Sequence, residues 1–185
     1  MSDKVGFFSL LPTTDKKGCL GALLVTDDLG KPEEFRVTYP VKPTLLQQQL
    51  YGASLWPHIG VELCGKPLFA ALDKKPFILL VSDVNFLALA DTVSCHVSHI
   101  ARLGDTLRVT TETGGHSQSD KHKIHSSSGH FQPLSLTFPH NYDDQRKDIV
   151  WQVLQSLFSG LDLLEPFDRI RVAIGVLGEQ DQKFR

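Results

Sequence analysis

The sequence predicts an α+β fold: an antiparallel or mixed sheet that begins with a three-stranded meander, with two C-terminal amphipathic helices packed on one face. Three observations predict it. Short apolar runs separated by turn residues fill the first quarter of the chain, and the uniformly apolar run FILLV at Phe77 to Val81 has the composition of a strand covered on both faces. A sustained spacing of three and four between apolar residues then marks the C-terminal stretch as helical. The chain has 185 residues. That is the size of a single domain, expected over 1–185, and enough to bury about 70 per cent of the unfolded surface.

The meander is read from Val5 to Val41. Val5 to Leu11 forms the first strand, and the turn Pro12 to Gly18 returns it alongside the almost continuous apolar run Cys19 to Thr26. Asp27 to Pro32 supplies the next turn. Glu34 to Val41 alternates, with Phe35, Val37, Tyr39 and Val41 on one side, as a half-buried strand does. Pro40 and Pro43 end this strand because neither has an amide to donate. Thr44 then caps a short helix that carries Leu45, Leu46 and Leu50 and stops at Gly52. The stretch from Glu33 to Gly52 resembles a segment of uncharacterised bacterial proteins. The resemblance attaches no activity and implies a bacterial, cytoplasmic protein.

Beyond Gly52, residues Pro57, Gly60, Gly65 and Pro67 interrupt any long helix, which predicts a bent connection and a short helix from Pro67 to Leu72. FILLV stops at Ser82 and Asp83. Val84 to Ala90 reads as one or two helical turns, and Thr92 to Ile100 and Leu107 to Thr111 as strands. At about 113–132 the composition shifts to serine, glycine, histidine and lysine, with Ile124 as the one aliphatic residue, which predicts a flexible loop. Leu134 to Phe138 closes the sheet. Asn141 or Asp143 caps a helix with Ile149, Val150, Val153, Leu154, Leu157 and Phe158 on its apolar face, and a second helix runs from Pro166 to Gly178.

Composition excludes several classes of function. Hydrophobic residues at 41% and charged residues at 22% are ordinary for a globular chain, which rules out wholesale disorder. A net charge of -2 gives no chain-wide basic surface for nucleic acid, although a local basic patch is compatible with it. The apolar part of Met1 to Leu11 is too short for a signal peptide, and no run approaches a membrane span. The expected location is the cytoplasm. Cys19, Cys64 and Cys95 are odd in number and far apart, and read as buried thiols.

Four constellations are candidates for chemistry or contact. His116, His122, His125 and His130 fall in the polar segment and are candidate ligands for zinc or another divalent transition metal; otherwise no cofactor is expected. Cys95, His96 and His99 form CHxxH, but on a strand Cys95 and His99 share one face and His96 takes the other, so packing is the simpler role. Asp83, with Ser82 and Asn85 beside it, stands where strand ends line crevices in α/β sheets, but the simpler role is for Ser82 or Asp83 to cap the turn at Val84 to Ala90. Trp151 lies off the main apolar face of its helix and is a candidate interface residue.

No phosphate loop, GxSxG or complete metal motif is present. The leading expectation is therefore a non-catalytic interaction module, an adaptor or small subunit with a protein partner. The alternatives are a metal-binding protein or metal-dependent hydrolase using histidines from His96 to His130, and a nucleic-acid accessory protein using Lys121 and Lys123.

Overall fold

The structure, a computed structural model, describes residues 4–103, 121–127 and 129–185. Strands β1 (Val5–Pro12), β2 (Cys19–Thr26) and β3 (Pro32–Val37) form the expected meander. With β4 (Ile78–Val81), β5 (His96–Arg102), β6 (Lys121–Ile124) and β7 (Leu134–Thr137) they make a seven-stranded sheet in the order β3-β2-β1-β4-β5-β7-β6. It is mixed: β4 lies parallel to both β1 and β5, and the other pairs are antiparallel.

Alternation along the strands loads both faces. Phe7, Leu20, Leu24, Ile78, Leu80 and Leu136 meet the C-terminal helices. The first of these follows the helices α1 (Leu45–Tyr51), α2 (Leu55–His58) and α3 (Lys66–Ala70); it is α4 (Asp144–Leu157), and the last is α5 (Glu165–Gln180). Val150, Leu154, Phe158, Phe167, Ile170 and Ile174 form their buried side. Asp143 caps α4 by accepting from the Arg146 amide at 2.7 Å, and Pro166 sits in the first turn of α5, where its missing amide costs nothing. The opposite face, with Phe8, Leu23, Leu79, Val81 and Val97, packs against Ile59, Val61, Cys64, Leu68 and Phe86.

Two expectations need correction. The stretch between the two expected short helices, from Gly52 to Lys66, is not a bent connection but joins them in a nearly unbroken helical run from Leu45 to Ala70, in which α2 passes through a π-helical segment at Ile59–Gly65 into α3. Pro57 comes just after the 3-10 turn Gly52–Ser54 and Pro67 just after the π-helical segment, so each lies where the hydrogen-bonding pattern of the run changes. The expected loop at about 113–132 contains β6, which pairs with β7 through Ile124 opposite Leu134. Its single aliphatic side chain, Ile124, is fully buried, and that anchor lets an otherwise polar sequence serve as an edge strand. The expected strand at Leu107 to Thr111 lies outside the described residues. Thr44 caps α1 as foreseen, with Gln47 completing a capping box, and the leucines of α1 are exposed.

Gly60 sets how closely the helical run approaches the segment after β4. A Cβ built there would stand 2.1 Å from Cε1 of Phe86, a ring with no exposed surface. Gly60→Ala should therefore destabilise the fold by about 3 kcal/mol, the upper range for overpacking a filled core, as read by urea denaturation. An unchanged midpoint would mean that the two elements can separate freely.

Candidate functional site

β1 and β4 run side by side and parallel, yet the chain leaves them in opposite directions. β1 turns back into β2, while β4 leads to β5 on its other side. Diverging connections open a crevice at the carboxyl ends of such strands. The Ser82 amide donates to the Phe8 carbonyl at 3.2 Å, which carries the ladder one step past the strand end, and Ser9 Oγ donates to Ser82 Oγ at 3.1 Å.

Strand alternation then separates two neighbours. Ser82 joins Ser9 on one face, and Asp83, in extended backbone, turns to the other. There Asp83 Oδ1 accepts from the Asn85 amide at 2.9 Å and from Asn85 Nδ2 at 2.8 Å, and Oδ2 accepts from Trp56 Nε1 at 3.0 Å. Asp83 thus caps the 3-10 helix Val84–Asp91, as one reading of the sequence held, and also fixes an indole from the helical run above it. Trp56 is 39% exposed and lies over Phe86 with ring centroids 6.3 Å apart.

The turn after β1 rises at the same end of the sheet. Thr13 Oγ1 donates to Asp15 at 2.6 Å, the Lys17 amide donates to Asp15 at 2.9 Å, and Lys42 Nζ reaches the other oxygen of Asp15 at 2.9 Å. These contacts, the Thr13 hydroxyl foremost, hold the Asp15 carboxyl well below the usual carboxylate range. The braced turn holds Lys16 at a left-handed φ of 57° and leaves the Lys16 and Lys17 side chains exposed. Between this turn and the helical run lies a groove of about 350 Å³, lined by Lys16, Lys17, Gly18, Gly52, Leu55 and Trp56 among others.

Other sequence candidates fall elsewhere. His116 lies outside the described residues, the His122 backbone pairs with Leu136 inside β6, and His125 and His130 are exposed. Among the described residues no three His, Cys, Asp or Glu side chains come together in a way that could hold a metal ion. The CHxxH residues divide as alternation requires. Cys95 joins the core beneath the helical run, and His96 turns to Phe77, Tyr142 and Arg146, whose Nε donates to His96 Nδ1 at 3.3 Å. Burial first, and then the Arg146 charge, push the His96 pKa down. Trp151 is half-buried against the core and donates Nε1 to the Lys123 carbonyl at 3.0 Å, so it ties α4 to β6. Lys16, Lys17 and Trp56 were not picked out from the sequence. Their one signal was a lysine pair in a turn and a tryptophan beside a proline.

No protein-family model matches the sequence, and no curated protein is similar to it in sequence. Solved structures are similar in shape. Endonuclease V from Bacillus subtilis superposes with a TM-score of 0.59 over 96% of this chain and 82% of its own, at 11% identity. The two chains share a fold. The catalytic domain of human endonuclease V (13% identity, 93% of this chain and 80% of its own) gives a TM-score of 0.43. The endonuclease V of Streptomyces avermitilis (12%, 78% and 69%) gives 0.45.

This likeness corrects the leading expectation. An adaptor or small subunit, with protein–protein interaction as its role, was read from missing motifs, an off-face Trp151 and a long polar loop; the fold shared with Bacillus subtilis endonuclease V overturns that reading. Among the described residues no helix is long and apolar enough to cross a membrane.

The three cysteines are buried, and burial pushes the Cys19 thiol up to about 11, Cys95 up to about 12 and Cys64 upward as well. A thiol held protonated is a poor nucleophile. An aromatic disulfide reagent at neutral pH should therefore label none of them in the folded protein and all three after denaturation. Rapid labelling of one thiol under native conditions would contradict this burial.

Proposed function

We propose that this chain is a nucleic-acid-processing protein that holds a strand in the groove between the β1–β2 turn and Trp56. The observation that carries the reading is the meeting of two exposed lysines and an exposed indole in the groove between the β1–β2 turn and the helical run. The fold shared with Bacillus subtilis endonuclease V supports it.

The chemistry is that of a phosphate backbone. Lys16 and Lys17 form no ion pair among the described residues, so their charges are available to an anionic ligand. A chain of net charge -2 has no global attraction for nucleic acid, and such binding is local and steeply dependent on salt. The exposed ring adds a contact that every base can use, because each has a π-face.

The two carboxylates near this groove are already engaged. Asp15 is taken up by Thr13, Lys17 and Lys42, and Asp83 by Trp56 and Asn85. Asp15 braces the turn that carries the lysines, and Asp83 orients the indole. Strand binding is the part of the proposed role which the lysines and the indole of the groove supply.

The test is fluorescence anisotropy of a labelled oligonucleotide titrated with protein at several salt concentrations. Lys16→Gln with Lys17→Gln should weaken binding and reduce the slope of log K against log salt by about 1.4, the value for two lost phosphate contacts to a single strand. The same samples on a denaturing gel report whether the bound strand is cut. An unchanged slope would place the binding surface elsewhere.

A further inference from the structure

We infer that Trp56 is a stacking platform for an unpaired base, so that the groove takes single-stranded nucleic acid in preference to duplex. This rests on the nucleic-acid reading above and names the substrate class of that site.

The indole is ordered before any ligand arrives. Its Nε1 is held by Asp83 at 3.0 Å, and Phe86, fully buried, lies beneath it with centroids 6.3 Å apart. Asp83 is itself fixed by two bonds from Asn85. A ring whose rotamer is already set loses little freedom on binding, so stacking on it carries a small ordering cost. That arrangement leaves 39% of Trp56 exposed in the groove wall, an uncommon position for the side chain with the most apolar surface to hide.

The groove is also polarised. Lys16 and Lys17 stand on the turn side, and the indole, with the Asp83 carboxylate behind it, on the helical side. A phosphate is drawn to the lysines and kept from the carboxylate, which leaves the base to lie over the ring. The volume of about 350 Å³ is at the small end for ligand pockets and suits one nucleotide unit better than the girth of a duplex. Bases inside a duplex have both faces stacked already, so an unpaired base alone has a π-face to offer.

The chain has two tryptophans, and Trp151→Phe leaves Trp56 as the sole reporter. In that background, a single-stranded thymidine oligonucleotide should quench the Trp56 emission as it saturates the protein. An oligonucleotide with abasic sites should bind more weakly and quench little. By anisotropy, Trp56→Ala should lower single-strand affinity about tenfold or more, with little effect on duplex, while Trp56→Phe, which keeps a ring, should retain most of it. Single-strand binding that is lost in the Lys16→Gln, Lys17→Gln protein yet unaffected by Trp56→Ala, with emission unchanged, would overturn the stacking platform and leave the phosphate groove standing. Duplex bound as tightly as single strand would also overturn the preference. If the wild-type protein binds neither form, the nucleic-acid reading falls and the platform with it.

Discussion

The parallel pairing of β1 with β4, in register from Val5 opposite Ile78 to Phe8 opposite Val81, is the constraint on which the rest depends. Parallel neighbours cannot be joined by a tight turn, so the chain must cross from one end of the sheet to the other between them. β2, β3 and the helical run from Leu45 to Ala70 make up that crossing. The helical run covers the face that carries Phe8 and Val81, while α4 and α5 cover the face that carries Phe7 and Leu80. With both faces covered, the open ground at this end of the pair is where the strands stop. Ser9, Ser82, Asp83 and the turn of Lys16 are all there because the register puts them there.

A second consequence concerns charge. Many of the described ionic groups are spent within the molecule: Glu33 with Lys4 and Lys74, Arg36 with Glu34 and Asp73, Lys42 with Asp15. Exposed pairs of this kind add little to stability. Their effect is on distribution, since they leave Lys16 and Lys17 as available cations beside the groove in a chain of net charge -2. The Asp15–Lys42 pair does both jobs, for it neutralises a nearby carboxylate and braces the turn that presents the two lysines.

Much of the fold was legible because it rests on local patterns. The apolar runs of β1 and β2, the two-sided burial of Ile78 to Val81, the Asp143 cap and the apolar stripes of α4 and α5 all follow from spacing within a few residues. Two misreadings share a cause. Pro57, Gly60 and Gly65 looked like helix breakers until the 3-10 and π segments that accommodate them were seen, and β6 looked like loop because one buried Ile124 outweighs its polar neighbours only once β7 lies beside it.

The site was half legible for the same reason. Asp83 stood out at the end of a buried strand, but its partner Trp56 is 27 residues away and is brought over it by the helical run. Histidine clustering drew attention to 116–130, yet clustering in sequence is no measure of convergence in space. Gly60, which lets the run pack closely enough for the Trp56–Asp83 bond, is an ordinary glycine until Phe86 is seen beneath it.

Nucleic acid is expected in the groove between the β1–β2 turn and Trp56, not on the histidine- and lysine-bearing stretch around β6. Photo-cross-linking a 4-thiothymidine oligonucleotide to the intact protein, followed by mapping of the modified peptides by mass spectrometry, tests this most directly. The adducts are expected on the segment that contains Lys16 and Lys17 and on that containing Trp56. Adducts confined to the peptides carrying Lys121 to His130, or none at a concentration where binding is saturated, would contradict it.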